Sequence, residues 1–205
     1  PFSIFHAAAY KHVDLVEKNI SYAIKNNIFS TLNLIRLSIQ LRVKNFIFIS
    51  TDKAVRPTNI MGATKRVCEL ILQAFAKKYL KTKISIIRFG NVLGSSGSVV
   101  PIFKNQINNG GPVTVSHKNV KRFFMTITEA VELVIQSSSI DQQSGKIFYL
   151  DMGEPIKIFD LAKRMINLHG FEAVLSSKKN KNEIQIIFTG LKNGEKMYEE
   201  LTVDG

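Results

Sequence analysis

Residues 45–90 read NFIFISTDKAVRPTNIMGATKRVCELILQAFAKKYLKTKISIIRFG, and the order of patterns within them decides the fold. Asn45–Ser50 is a continuous apolar run rich in Phe and Ile, the composition of a strand covered on both faces. Thr58–Leu80 sets Val67, Leu70, Ile71, Ala74 and Phe75 at helical spacings, with Pro57 and Thr58 as the expected cap. Lys83–Phe89 is a second buried strand. Strand, helix and strand on short connections predict a βαβ unit in a parallel sheet.

The same alternation extends outward. Phe2–His6 predicts a short strand that runs into Ala7, Ala8 and Ala9. Ile20–Gln40 carries Ile24, Ile28, Leu32, Ile35 and Ile39 at spacings of three and four, a helix. Downstream, Gly110-Gly111-Pro112 breaks the chain before a short run, Val113–Ser116. Helices are expected at Ile127–Gln136 and Ile158–Leu168, strands at Lys146–Leu150 and Ile184–Phe188, and a short terminal helix at Gly194–Leu201. The whole is an α/β chain: a parallel sheet with helices on both faces, and a smaller lobe at its mouth.

The 205 residues hold 28 Lys and Arg against 16 Asp and Glu, a net charge of +12. At 45% hydrophobic and 21% charged, the composition is that of an ordinary globular protein and excludes a disordered tail, a collagen repeat or a disulfide scaffold. The single cysteine, Cys68, makes no internal disulfide and no metal cluster, which fits a reducing compartment. No apolar run reaches the roughly 18 residues of a spanning helix. The chain opens on Pro1 with no charged and apolar leader behind it, so it reads as a fragment or processed product rather than as a signal peptide. Its lysines are spread out. The densest group, Lys178-Lys179-Asn180-Lys181, reads as a solvated loop, and no aromatic-interleaved stacking motif is present. The charge therefore points to a solvated surface and a phosphate-bearing ligand in preference to nucleic acid.

In parallel sheets ligands sit beyond the carboxyl ends of the strands. Three segments lie there: His6–Lys11, Thr51–Pro57 and Gly90–Gly97. Thr51-Asp52-Lys53 sets a hydroxyl, a carboxylate and an amine side by side. Met61 and Lys65 are one helical turn apart and share a face. Spacing alone describes an ordinary helix start with a solvated Lys65 equally well. Gly94–Ser98 is either a phosphate cradle ahead of a helix or a flexible turn.

HAAAYKH, STDKAVRPTN, MGATKR, RFGNVLGSSGSVVP, KRFFMT, DMGEP and GEKMYEEL, in that order, resemble the extended short-chain dehydrogenase/reductases that act on nucleotide sugars. The match is most specific to the UDP-N-acetylglucosamine 4,6-dehydratases of bacterial polysaccharide synthesis and runs from Phe5 to about Leu201. The resemblance implies a Rossmann-like fold, with residues 1–95 as the C-terminal part of an NAD(P)-binding domain and 96–205 as mainly a nucleotide-sugar lobe. It implies C4 oxidation by NAD or NADP, loss of water across C5 and C6, and hydride return to C6. On this pattern Lys53 is the C5 base, Asp52 the acid for the C6 hydroxyl, Thr51 the partner of the C4 oxygen and Lys65 the ribose anchor. His6, Ala7 and Ala8 form the turn that lets cofactor approach, with Asn27 and Thr31 on a supporting helix. Asn91 and Arg122 meet the substrate diphosphate, and Glu195 lies near the uridine ribose. No metal is implied.

Three departures matter. Met61 stands where the family has its proton-accepting Tyr, as in the membrane-anchored branch that carries Met; a thioether exchanges no proton, and a water relay to Asp52 or Lys65 is one alternative. Lys192-Asn193 replaces the usual Arg-Pro ahead of Gly194-Glu195, and Ser30 replaces Gly. The Gly-rich phosphate loop is not in this chain, and the resemblance places it upstream of Phe2. Homo-oligomers, a cytoplasmic catalytic domain and a membrane tether only through further N-terminal sequence are the matching expectations. A related epimerase or reductase and a non-catalytic remnant are the competing readings.

Overall fold

The computed structural model describes residues 1–140, 143–176 and 180–202. Lys178 and Lys179 of the basic cluster lie outside them. In chain order the elements are β1 (Ser3–His6), α1 (Val13–Lys18), α2 (Ile20–Ala23), a π-helical segment (Ile24–Phe29), α3 (Ser30–Gln40), β2 (Asn45–Ile49), a 3₁₀ turn (Asp52–Ala54), α4 (Ile60–Lys78), β3 (Lys83–Arg88), β4 (Asn91–Val92), α5 (Val99–Asn108), β5 (Val113–Val115), β6 (Lys121–Arg122), β7 (Phe124–Met125), α6 (Ile127–Ser139), β8 (Ile147–Tyr149), β9 (Ile156–Lys157), α7 (Ile158–Leu168), β10 (Glu172–Val174) and β11 (Glu183–Phe188). Among the described residues no helix is long and apolar enough to cross a membrane.

The chain divides into two units. The first holds residues 1–90, 128–151 and 200–205. Its sheet runs β1-β2-β3-β8, every neighbour parallel, with Ile4 opposite Phe46 and Phe46 opposite Ile84. Phe46, Phe48, Ile84 and Ile86 meet Ile35 of α3 and Cys68, Leu72 and Ala76 of α4 in a solvent-free core. Each large side chain so buried contributes about 1.5–3 kcal/mol. β8 returns to this sheet beside β3 after the excursion into the second unit.

The second unit holds residues 91–127 and 152–199. Its parallel sheet runs β10-β11-β5. Phe103, Ile107, Val113, Val115, Ile166, Ile184 and Ile186 form its core. Two short ladders, parallel β4-β7 and antiparallel β6-β9, complete it.

Four local expectations are corrected. The buried face of α4 is Met61, Lys65, Cys68, Leu72 and Ala76; Val67, Leu70 and Ala74 of the expected stripe are exposed, Ile71 is half-buried, and Phe75 packs against the edge of the core. Packing chose the face that meets β2 and β3, not the most apolar one. The cap of α4 is Asn59, whose side chain accepts from the Gly62 N–H. The Ile20–Gln40 helix contains a π segment, so the strict three-four count does not hold through it. Gly194–Leu201 is turns and bends. The Met197 carbonyl there accepts from the Lys121 N–H, and Gly194 sits at φ 74°, so the helical ladder has no continuous run of partners.

Candidate functional site

Thr51-Asp52-Lys53 leaves the carboxyl end of β2 in the first unit. Backbone bonds Ser50 N–H to Ile87 O and Asp52 N–H to Phe89 O, 2.7 and 3.2 Å, carry the β2–β3 ladder beyond the strand ends. Asp52 is then completely buried, and its Oδ1 accepts from Lys53 Nζ at 3.0 Å and from Thr51 Oγ1 at 2.9 Å. Lys53 keeps part of its side chain in solvent. Asp52 Oδ2 is shut away from water with no partner among the described residues. A buried polar atom left unbonded is uncommon and asks for a reason. Gly62 is where α4 presses on this turn: a Cβ there would collide with the Lys53 carbonyl.

Lys65 is buried, not solvated. Its Nζ donates to Ile49 O at 2.7 Å and stands 4.5 Å over the Phe48 ring. Burial lowers its pKa to about 8, and the neighbouring Cys68 and Glu69 hold it up from a deeper fall. Met61 lies on the same buried face, within an apolar cluster of Val16 and Ala23 flanked by Val13 and Ile60. It is a packing side chain as well as one that moves no proton.

His6 closes β1, but its ring turns inward. Nε2 lies 2.8 Å from Thr31 Oγ1, and the ring tilts against Phe46 and Phe48. Thr31 gives its one hydroxyl proton to Asn27 O at 2.7 Å, so His6 is the donor in its pair. Burial first, and Lys65 second, lower the His6 pKa to about 4. The unfolded imidazole titrates near 6.5. Between those values the unfolded chain binds a proton that the folded chain refuses, so this contribution is full above pH 6.5 and is lost as pH falls toward 4. Stability, and with it the melting midpoint, is expected to drop across that window, by about 3–4 kcal/mol at most for a pKa that falls from 6.5 to about 4. His6→Gln should flatten the drop in thermal melts at pH 7, 5.5 and 4.5.

Ala7 and Ala8 are exposed at the carboxyl end of β1. Asn27, inside the π segment, clamps the next turn: it accepts from Tyr10 N–H at 2.8 Å and donates to Tyr10 O and Thr64 Oγ1, both at 3.0 Å. Beside that turn Tyr10, Lys11, His12, Leu15 and Tyr22 line a hollow of about 500 Å³. These features fit the nicotinamide half of a dinucleotide: methyl-only residues at the strand end, and an ammonium with donors beyond the one given to Ile49 O.

Sequence reading missed the network behind this edge. The Glu69 carboxylate, fully buried, accepts at Oε1 from Ser50 Oγ and Arg88 Nε, both at 2.7 Å, and at Oε2 from Arg88 Nη2 and Arg66 Nη1, at 2.7 and 2.9 Å. The available signal was spacing: Glu69 lies four residues after Lys65, and Ser50 and Arg88 are at the two strand ends.

The predicted substrate residues fall together in the second unit. The Asn91 N–H donates to Phe123 O at 3.0 Å, adjacent in sequence to Arg122. Arg122 is buried and donates to Glu195 Oε1 at 3.0 Å and to Lys121 O at 2.8 Å. Ser116 Oγ shares that Glu195 oxygen, and the Lys192 N–H takes the other. In the Gly94–Ser98 loop the N–H groups of Ser95 and Ser98 are already bonded, to Val92 O and Ser95 O, so the cradle offers fewer donors than expected. Ser98 Oγ is buried and has no partner among the described residues.

The parallel sheet, with its polar groups at the strand ends, is a Rossmann-like α/β arrangement. The chain belongs to the polysaccharide biosynthesis protein family, whose profile matches residues 1–205. It is 51% identical to the capsular polysaccharide biosynthesis protein CapD of Staphylococcus aureus over 98% of this chain and 32% of that protein. The probable polysaccharide biosynthesis protein EpsC of Bacillus subtilis matches to the same degree. The chain thus spans about a third of the length of these curated relatives. The X-ray structure of Pen from Bacillus thuringiensis superposes with a TM-score of 0.85 at 40% identity, over 97% of this chain and 59% of that one. At 18% identity, dTDP-glucose 4,6-dehydratase DesIV of Streptomyces venezuelae, solved with NAD, shares the fold with a TM-score of 0.80.

Proposed function

We propose that this chain carries the acid–base site of a UDP-N-acetylglucosamine 4,6-dehydratase that makes a 4-keto-6-deoxy sugar for bacterial surface polysaccharide. One observation carries the reading: the pairing of buried Asp52 with partly exposed Lys53 at the carboxyl edge of the sheet. Elimination across C5 and C6 needs an amine that takes the C5 proton and an acid that protonates the departing C6 oxygen. One proton shift along the 3.0 Å hydrogen bond, from Lys53 Nζ to Asp52 Oδ1, converts the ion pair into a neutral amine and a carboxylic acid. The two neighbours thus hold both catalytic forms with no net change of charge. Asp52 Oδ2 makes no bond among the described residues, so the carboxylate is tied to Lys53 and Thr51 through Oδ1 alone. Thr51, already bonded to Asp52, orients the carboxylate and meets the C4 oxygen.

NAD or NADP, when bound, supplies a reversible hydride acceptor. Lys65 would hold its ribose, and Ala7 and Ala8 would leave room for it. The ammonium of Lys65 is charged at neutral pH and loses that charge above about pH 8. A UDP-sugar is proposed as the ligand of the second unit, with Arg122 as its diphosphate clamp, Asn91 beside it and Glu195 holding the clamp and meeting the ribose.

Product analysis tests the reading in a protein that also carries the Gly-rich half. A 4-keto-6-deoxy sugar from UDP-N-acetylglucosamine is expected. A C4 epimer would favour the alternative suggested by the Rickettsia canadensis UDP-glucose 4-epimerase, 35% identical over 97% of this chain. No turnover would favour a remnant. The clamp has its own test in UDP titrations at two salt concentrations. Arg122→Ala is expected to weaken binding by about 2–4 kcal/mol, the range for breaking a buried charged contact. A loss under about 1 kcal/mol that vanishes in salt is the behaviour of an exposed cation and would remove Arg122 from the site.

A further inference from the structure

We propose that Glu69 is a positioning residue, whose buried carboxylate fixes the carboxyl ends of β2 and β3 and thereby sets both the Asp52–Lys53 pair and Lys65. What those groups then do rests on the dehydratase reading. The placement itself rests on the hydrogen bonds. Glu69 grips the last residue of β3 by a two-pronged bond to Arg88 and grips Ser50, the residue just past β2, by its hydroxyl. Two residues past Ser50 and one past Arg88 the two segments meet again, where Asp52 N–H bonds Phe89 O. A slip of Ser50, or of Arg88 through Phe89, is therefore passed to Asp52. The carboxylate also faces the site electrostatically. Around Lys65 stand His6 from β1, the Phe48 ring and Ile49 carbonyl from β2, and Cys68 and Glu69 from its own helix, with Arg88 and Arg66 behind Glu69. Glu69 is the carboxylate that raises the affinity of Lys65 for its proton against burial.

Two readouts on the 205-residue chain test this without substrate. The first is the titration of Lys65 followed by the ¹³Cε shift of labelled lysine. Glu69→Gln keeps the shape and loses the charge, and is expected to lower the Lys65 midpoint from about 8 by about one unit, the scale of losing a nearby opposite charge. The second is amide hydrogen exchange at Asp52, expected to quicken about tenfold in Glu69→Gln while Val113 and Ile184 of the second unit keep their rates. Ser50→Ala removes one link and no charge. It should quicken Asp52 exchange about threefold and leave the Lys65 midpoint in place, a split that a general loss of stability does not produce. An unmoved Lys65 midpoint in Glu69→Gln, or unmoved Asp52 exchange in either variant, overturns the proposal. If Glu69→Gln does not fold, Asp52 exchange in Ser50→Ala decides alone. Failure to form a 4-keto sugar would overturn the dehydratase reading and leave these readouts intact, so the two are separable.

Discussion

Lys53→Ala, in a protein that also carries the Gly-rich half, is expected to lower dehydration by about 10²–10⁴-fold, the range for losing a positioned proton-transfer group. UDP-sugar affinity should hardly change, because Arg122 and Asn91, not Lys53, are the residues proposed to hold the diphosphate. The decisive measurement is solvent deuterium entering C5, with calorimetry for affinity. Loss of wash-in with preserved binding identifies the base. The variant also leaves Asp52 a fully buried carboxylate with only the Thr51 hydroxyl on Oδ1, so some stability should go with it. A melting curve run alongside separates that loss from the chemical one. Unchanged turnover would remove Lys53 from the mechanism.

Arg88→Ala is expected to cost about 3–5 kcal/mol of stability, the range for removing one partner of a buried ion pair. Glu69 would keep Ser50 and the half-buried Arg66 but lose both prongs of its strongest contact. The comparison is Arg56→Ala. That arginine also pairs with a carboxylate, Glu200, at 2.9 Å, but its side chain is 57% exposed. An exposed pair contributes under about 1 kcal/mol. Thermal melts of the two variants therefore test burial with the same chemistry in both. Equal losses would show that the Glu69–Arg88 pair does not anchor the strand ends.

The strands were legible for a simple reason. Asn45–Ile49 and Lys83–Arg88 are mostly buried, so their centres are runs of Phe and Ile that need no knowledge of a partner to be read as strands. The helix Ile158–Leu168 was legible to its ends, because its apolar stripe and its flanks agree. The face of α4 was not. Val67 and Leu70 stay exposed and Phe75 packs only partly against the core; the sheet took the ridge that carries Lys65 and Glu69, whose main partners, Ile49, Ser50 and Arg88, stand at the ends of β2 and β3. Periodicity counts apolar residues and is blind to a lysine and a glutamate that are buried because the tertiary structure supplies their partners.

By itself, then, the amino-acid sequence determined the α/β class, the order of the parallel strands' segments and the residues at the strand ends, since all of these follow from local pattern and from where a strand stops. Only the tertiary structure decided that Asp52 and Lys53 pair with each other, that Lys65 lies buried over Phe48, that Met61 belongs to an apolar cluster and that Arg122 is held by Glu195. The reason is physical. A side chain's protonation, exposure and partners depend on the atoms that folding brings within about 3–4 Å, the range of hydrogen bonds and close ion pairs, and Lys65 with Ile49 or Glu69 with Arg88 are brought there from 16 and 19 residues away.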